Sequence, residues 1–125
     1  MRLIRAYWTS IIVCIGILYV SLVRDPGIHL PTFVGADKWV HLLMYTLLGA
    51  VATYDSIRFQ LSGLRLWLVA TLLPILFGGI IELVQEQWFA PRSGEWMDWL
   101  ADGIGVIIGA ISIMIINRLY HRQHA

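Results

Sequence analysis

The sequence predicts an all-α integral membrane protein: four transmembrane helices in a compact bundle, with both termini cytoplasmic. Three observations lead there. The 125-residue chain is 58% hydrophobic and only 14% charged, whereas a soluble domain of that size needs far more polar surface. Four long apolar runs take up most of its length. The basic residues divide unevenly between the segments that join those runs.

The first run is Ala6 to Val23, preceded by Arg2 and Arg5. A basic start before an apolar run is also how a signal peptide begins. No small-x-small cleavage site follows, however, and "VRDPG" ends the run abruptly. The segment therefore reads as a retained helix. The second span runs from about Trp39 to Tyr54, the third from about Leu64 to Gln85 with Pro74 inside it, and the fourth from about Met97 to Asn117. Each is near the roughly 20 residues that cross a bilayer. The second is short unless Asp37 and Lys38 form its first turn. The connections "RDPGIHLPTFVGADK", "DSIRFQLSGLR" and "EQWFAPRSGEW" carry the Pro and Gly residues that interrupt helices. Residues 1–125 make one membrane domain.

Orientation follows from Lys and Arg in short loops. Arg2, Arg5, Arg58, Arg65, Arg118 and Arg122 fall on one side, against Arg24, Lys38 and Arg92 on the other. The richer side is the cytoplasmic one. Aromatic residues mark the span ends: Tyr7, Trp8, Tyr54, Trp67 and Tyr120 inside, Trp39, Trp88, Trp96 and Trp99 outside. A formal net charge of +1 and the absence of a basic patch exclude nucleic acid as a partner. Cys14, the single cysteine, forms no internal disulfide. No cofactor motif is present, and membrane lipids are the expected partners.

This topology gathers the polar residues. Asp37, Lys38 and His41 lie at the outer end of span two, Glu82 and Gln85 at that of span three. Arg92, Glu95, Asp98 and Asp102 lie in the outer loop and first turns of span four. At about 100° per residue, His41 and Tyr45 share a face, with Leu48 and Ala52 below them. Glu82 shares one with Gly78, Gly79 and Gln85. Asp98 and Asp102 share one with Gly105 and Gly109, the GxxxG of "GVIIG", which Ala101 extends by a step. Small residues mark close helix contacts in membranes, so these acids point toward helix contacts and not toward lipid. The expectation is one polar cluster, open to the outer surface and one or two helical turns deep.

Each residue also has a plainer role. Asp37 suits an N-cap, with Lys38 reaching to the interface. His41 suits an interior histidine with one hydrogen bond, and Tyr45 a packing residue with a bonded hydroxyl. Glu82 needs a cationic partner such as Arg92 or Lys38, or a proton, and an ion-pair network that only locks the bundle would provide that. The GxxxG reads as packing within the bundle before a dimer face, and no oligomeric state is assigned. His121 and His124 read as solvated. The joint clustering, more than any one residue, argues for a functional site.

Three blocks, "DKWVHLLMYTLLG", "GGIIELVQ" and "PRSGEWMDWLADGIGVIIG", occur in that order over residues 37–110. In them the chain resembles the VanZ-like family of small multi-pass bacterial membrane proteins. The resemblance implies a four-helix protein of the bacterial cell envelope, in the cytoplasmic (inner) membrane, and a link to antibiotic resistance, namely tolerance of the glycopeptide teicoplanin. It implies no settled activity. The chain departs from the family pattern at Asp102, where Asn is common.

Two functions fit the cluster. As a binding site it recognises a lipid head group or lipid-linked wall precursor, with Lys38 and Arg92 contacting phosphate and Asp37, His41, Tyr45, Glu82, Gln85, Asp98 and Asp102 completing the site. As a membrane-embedded enzyme on a phosphorylated lipid or polyprenyl substrate, it uses His41 as base or nucleophile and Glu82 as orienter or acid. Glu82, Asp98, Asp102 and His41 are also donors that suit a divalent ion, but no compact motif such as HExxH is present and no metal is assigned. A transporter is the weakest reading, because the inner halves of the spans show no ionisable residue. The binding role is favoured, since no catalytic constellation is complete.

Overall fold

The structure, a computed structural model, describes residues 1–22, 35–88 and 96–125, without the side chains of Asp37 and Trp88. Among these residues all regular structure is helical. A short α1 (Arg2–Ala6) turns at Tyr7 into α2 (Trp8–Leu22). α3 (Ala36–Arg58) begins after Gly35, whose φ of 78° is the left-handed conformation that glycine adopts freely. The helix thus starts one residue before Asp37. Asp37 lies in the first turn and is not the N-cap expected of it.

The third helical stretch is continuous but not uniform. α4 (Gly63–Trp67) passes through a π-helical turn (Leu68–Leu72) into α5 (Leu73–Trp88). Pro74 accounts for the widened turn. Proline has no N–H to give the carbonyl four residues back, and its ring crowds that carbonyl. Just before it, the Leu73 N–H bonds to the Leu68 carbonyl, five residues back. Such single π turns relieve this kind of conflict inside helices. α6 (Trp96–Gln123) has 28 residues, about 42 Å at 1.5 Å per residue.

Three stretches are long and apolar enough to cross a membrane: Lys38–Arg58, Gly63–Gln87 and Trp96–Gln123. The described part of α2, 15 residues, is about 22 Å long, and the residues that follow Leu22 lie outside the described ones. The outward faces suit lipid. Leu43, Leu47, Ile80, Leu83 and Ile116 are each more than half exposed, an apolar mantle that water would not tolerate.

Side-chain contacts fix the arrangement. α3 and α6 run parallel. A Cβ on Gly105 would stand 2.6 Å from the Leu42 carbonyl oxygen, and one on Gly109 would collide with the Thr46 carbonyl, one turn further along both helices. A Cβ on Gly49 of α3 would likewise strike the Val106 backbone. The expected small-residue packing is therefore a backbone-to-backbone seam within the bundle. α5 runs antiparallel to both: its Gly78 faces Asp102 and its Ile75, a turn earlier, approaches Gly103. α2 is antiparallel to α3, since Ser10 near its start meets Asp55 near the end of α3. Ile17, Tyr45, Leu48, Ile81 and Val106 form the apolar core between the helices. One end of the bundle, called here the site end, thus gathers the starts of α3 and α6 and the ends of α2 and α5.

The opposite end holds a buried acid that the sequence reading assigned to a loop. α3 continues to Arg58, and Asp55 inside it is 0% exposed. Its Oδ2 accepts hydrogen bonds from the Ser10 backbone N–H (3.0 Å) and hydroxyl (2.7 Å). The first N–H groups of any helix lack internal partners and carry partial positive charge, so Asp55 caps α2 from a neighbouring helix. Beside it, the hydroxyls of Tyr7 and Ser56 bond at 3.0 Å. The expectation that the span halves far from the polar cluster carry no ionisable residue is corrected by this capping acid.

The seam yields a stability prediction. Gly105→Ala and Gly109→Ala each force the helices apart and should cost about 1–3 kcal/mol, the range for overpacking. Gly16→Ala, with nothing within 4 Å, should be neutral or slightly stabilising. Thermal unfolding of the three variants in detergent checks this ranking.

Candidate functional site

The parallel register of α3 and α6 builds the site. Lys38 and His41 are three residues apart on α3, and Asp98 and Asp102 four apart on α6, so the pairs align rung by rung. Lys38 Nζ lies 3.4 Å from Asp98 Oδ1. His41 Nδ1 lies 2.7 Å from Asp102 Oδ1, a short hydrogen bond. α5 comes in from the other direction and brings Glu82 Oε1 to 3.8 Å from the same nitrogen. The second ring nitrogen, Nε2, faces Asp98 Oδ2 at 3.9 Å. One imidazole thus stands among three carboxylates from two other helices.

Below the imidazole, one turn along α3, the Tyr45 ring lies parallel to it at 6.4 Å. Tyr45 and Asp102 are both 0% exposed. Among the described residues the Tyr45 hydroxyl and Asp102 Oδ2 have no hydrogen-bond partner. Both side chains press against Gly78: a Cβ there would stand 2.8 Å from Asp102 Oδ2 and 3.1 Å from the Tyr45 ring. Gly79 performs the same service for Trp99, whose indole N–H donates to the Ile75 carbonyl at 2.8 Å. Glycine at 78 and 79 therefore lets an acid and an indole of α6 approach α5.

The expected cluster is only partly this one. Lys38, His41, Tyr45, Glu82, Asp98 and Asp102 come together. Gln85 does not serve the cluster: its amide nitrogen donates to the Ser21 carbonyl at the end of α2, at 2.6 Å. Buried beside the end of α2, it has a structural use in tying α5 to that helix. Ala101 stands in a shallow cleft with Lys38, Trp39, Leu42 and Ile104, on the α3 side of α6. Arg92 and Glu95, and the side chain of Asp37, lie outside the described residues. His121 and His124 are exposed in the tail.

A groove that the sequence does not announce lies beside the cluster. Between α5 and α6 a cavity of about 360 Å³ is walled by Leu76, Gly79, Ile80, Leu83, Trp96 and Trp99, with Glu82 and Glu86 as its acidic residues. Glu82 thus belongs to both the apolar groove and the polar cluster. The spacing of Leu76, Gly79, Ile80 and Leu83 on one helical stripe was visible, but a lipid-facing stripe has the same pattern.

Chemically, the arrangement offers a histidine oriented by a buried carboxylate, the usual geometry of a general base. It also offers metal donors: one ligand atom each from His41, Glu82 and Asp102 lies within 4.8 Å of the others. Compared with protein-family models, with curated proteins and with solved structures, the chain matches none.

The tight fit at Gly78 predicts that Gly78→Ala displaces the Asp102 carboxylate and weakens its bond to His41. The His41 imidazole nitrogen resonances should shift by NMR in this variant. Gly103→Ala, where the nearest side-chain atom is 3.9 Å from the new carbon, should leave them in place.

Proposed function

We propose that the chain is a VanZ-like multi-pass protein of the bacterial cytoplasmic membrane, with four spans and both termini in the cytoplasm. In this reading it binds a lipid head group or lipid-linked wall precursor at the outer-face cluster. Glu82 carries the proposal, because it walls an apolar groove of about 360 Å³ and lies 3.8 Å from His41 Nδ1. An amphiphile with its tail between α5 and α6 would bring its polar head to the cluster. Trp96 and Trp99 in that groove suit the level where head group meets chain. Two bonds support α2 as a span: Ser10 to Asp55 at one end and Gln85 to the Ser21 carbonyl at the other. Teicoplanin tolerance enters this proposal through the family resemblance alone.

Among the described residues the cluster holds three carboxylates to one lysine. A phosphate-bearing head group therefore calls on Arg92 or on a bound cation for balance. A second reading is favoured by the 2.7 Å His41–Asp102 pair: a membrane enzyme on a phosphorylated lipid, with His41 as general base, Asp102 holding its ring, and Glu82 as acid.

Purified protein in nanodiscs of defined composition tests both. Affinity for anionic envelope lipid should fall at least fivefold in Ile80→Trp, which fills the groove, and in Arg92→Ala. Equal affinity in wild type and both variants would overturn the binding role. Turnover of a polyprenyl phosphate that disappears in His41→Ala would establish the enzyme instead, and turnover that persists would remove the histidine mechanism.

A further inference from the structure

We propose that His41, Glu82 and Asp102 form a binding site for one divalent transition-metal ion, of the Zn²⁺ or Mn²⁺ class. This site is independent of the lipid reading: it concerns what holds the cluster together, whatever the cluster meets.

The donor set is the first ground. A neutral imidazole nitrogen and two carboxylate oxygens suit these ions better than they suit Ca²⁺ or Mg²⁺, which favour oxygen alone. The three donors converge within 4.8 Å from three separate helices. Ligands about 2.1 Å from a common ion stand roughly 3–4 Å apart. The 3.8 Å from His41 Nδ1 to Glu82 Oε1 already lies in that range. The 2.7 Å from Nδ1 to Asp102 Oδ1 is a proton-sharing distance, and an ion in the proton's place would widen it by a few tenths of an ångström. Metal binding to such a pair releases that proton to solvent.

The second ground is the orientation of the ring. A metal-bound histidine usually turns its other nitrogen toward a carboxylate, which fixes the ring and raises its basicity. Here Nε2 faces Asp98 Oδ2 at 3.9 Å, and Asp98 is in turn held by Lys38. One nitrogen thus points into the donor set and the other toward a braced acid.

The third ground is independent of both. Asp102 is wholly buried, and among the described residues its Oδ2 has no hydrogen-bond partner. Beside it, against the same Gly78, the wholly buried Tyr45 also leaves its hydroxyl without one. Buried polar atoms in native proteins are nearly always satisfied, and a carboxylate inside a membrane bundle is costly without a charge partner. An ion on Asp102 would supply one. The donors come from residues 41, 82 and 102, so no local sequence motif announces them.

Protein without a polyhistidine tag, stripped with chelator and placed in nanodiscs, is titrated separately with Zn²⁺, Mn²⁺ and Co²⁺. The expected result is one ion per chain, with a Co²⁺ visible spectrum of nitrogen and oxygen ligation. Glu82→Gln and His41→Ala should each weaken binding more than tenfold, and Asp98→Asn, which only braces the ring, roughly tenfold. A His121→Ala/His124→Ala double variant should bind as wild type. Melting curves taken without metal identify any variant that fails to fold, and Glu82→Gln, nearly isosteric, then decides. The proposal is overturned if none of the three ions binds stoichiometrically, if Glu82→Gln retains wild-type affinity and spectrum, or if only the tail variant loses the ion.

Discussion

The approach of α3 to α6 is the constraint on which the rest of the structure depends. Gly49, Gly105 and Gly109 leave room for backbone to lie on backbone. In lipid the hydrophobic effect does not press helices together, so contact of this kind, with its dispersion and weak C–H···O bonds, has to do so. The seam also fixes the register. Once Gly105 sits against Leu42 and Gly109 against Thr46, Lys38 must face Asp98 and His41 must face Asp102. The polar cluster is the extension of a packing seam by one more turn. A slip of one turn would leave His41 opposite Asp98 or Gly105, and Asp102 buried without its hydrogen bond.

The same rule, that a buried carboxylate must meet a donor, is met differently at the two ends. Asp55 meets the N-terminus of α2, whose N–H groups need an acceptor as much as the acid needs donors. That pairing satisfies Asp55 Oδ2, while its Oδ1 has no hydrogen-bond partner among the described residues. At the site end the carboxylates meet one another's surroundings: a histidine, a lysine and an apolar cavity between α5 and α6.

Much of this was legible in the sequence because it follows from angles around single helices. The faces His41–Tyr45–Leu48–Ala52 and Asp98–Asp102–Gly105–Gly109 came from periodicity, and all but His41 are buried. What periodicity does not carry is the partner. Gln85 lies on the predicted face of Glu82, yet it reaches the end of α2, because a side chain one turn nearer the helix end meets a different neighbour. Asp55 was read as a loop residue because four polar or charged positions in "YDSIRFQ" look like a helix end, although the helix continues through Arg58. Gly49 passed unnoticed, since a glycine within an apolar run carries no sign of the backbone that will press on it.

The π-helical turn before Pro74 has a consequence for how faces are counted along the third helical stretch. A π turn amounts to one residue more than an α-helix would use, and one residue is about 100° of rotation. Everything after Leu72 is therefore out of phase with everything before it. Leu66 and Ala70, buried ahead of or within the turn, and Glu82 beyond it lie on a common inner surface only because that offset is present. Proline at 74 thus acts as a phase setter for a residue two turns away. A one-residue deletion between 68 and 72 would shift that phase by about 100° and swing Glu82 away from His41, without touching either side chain.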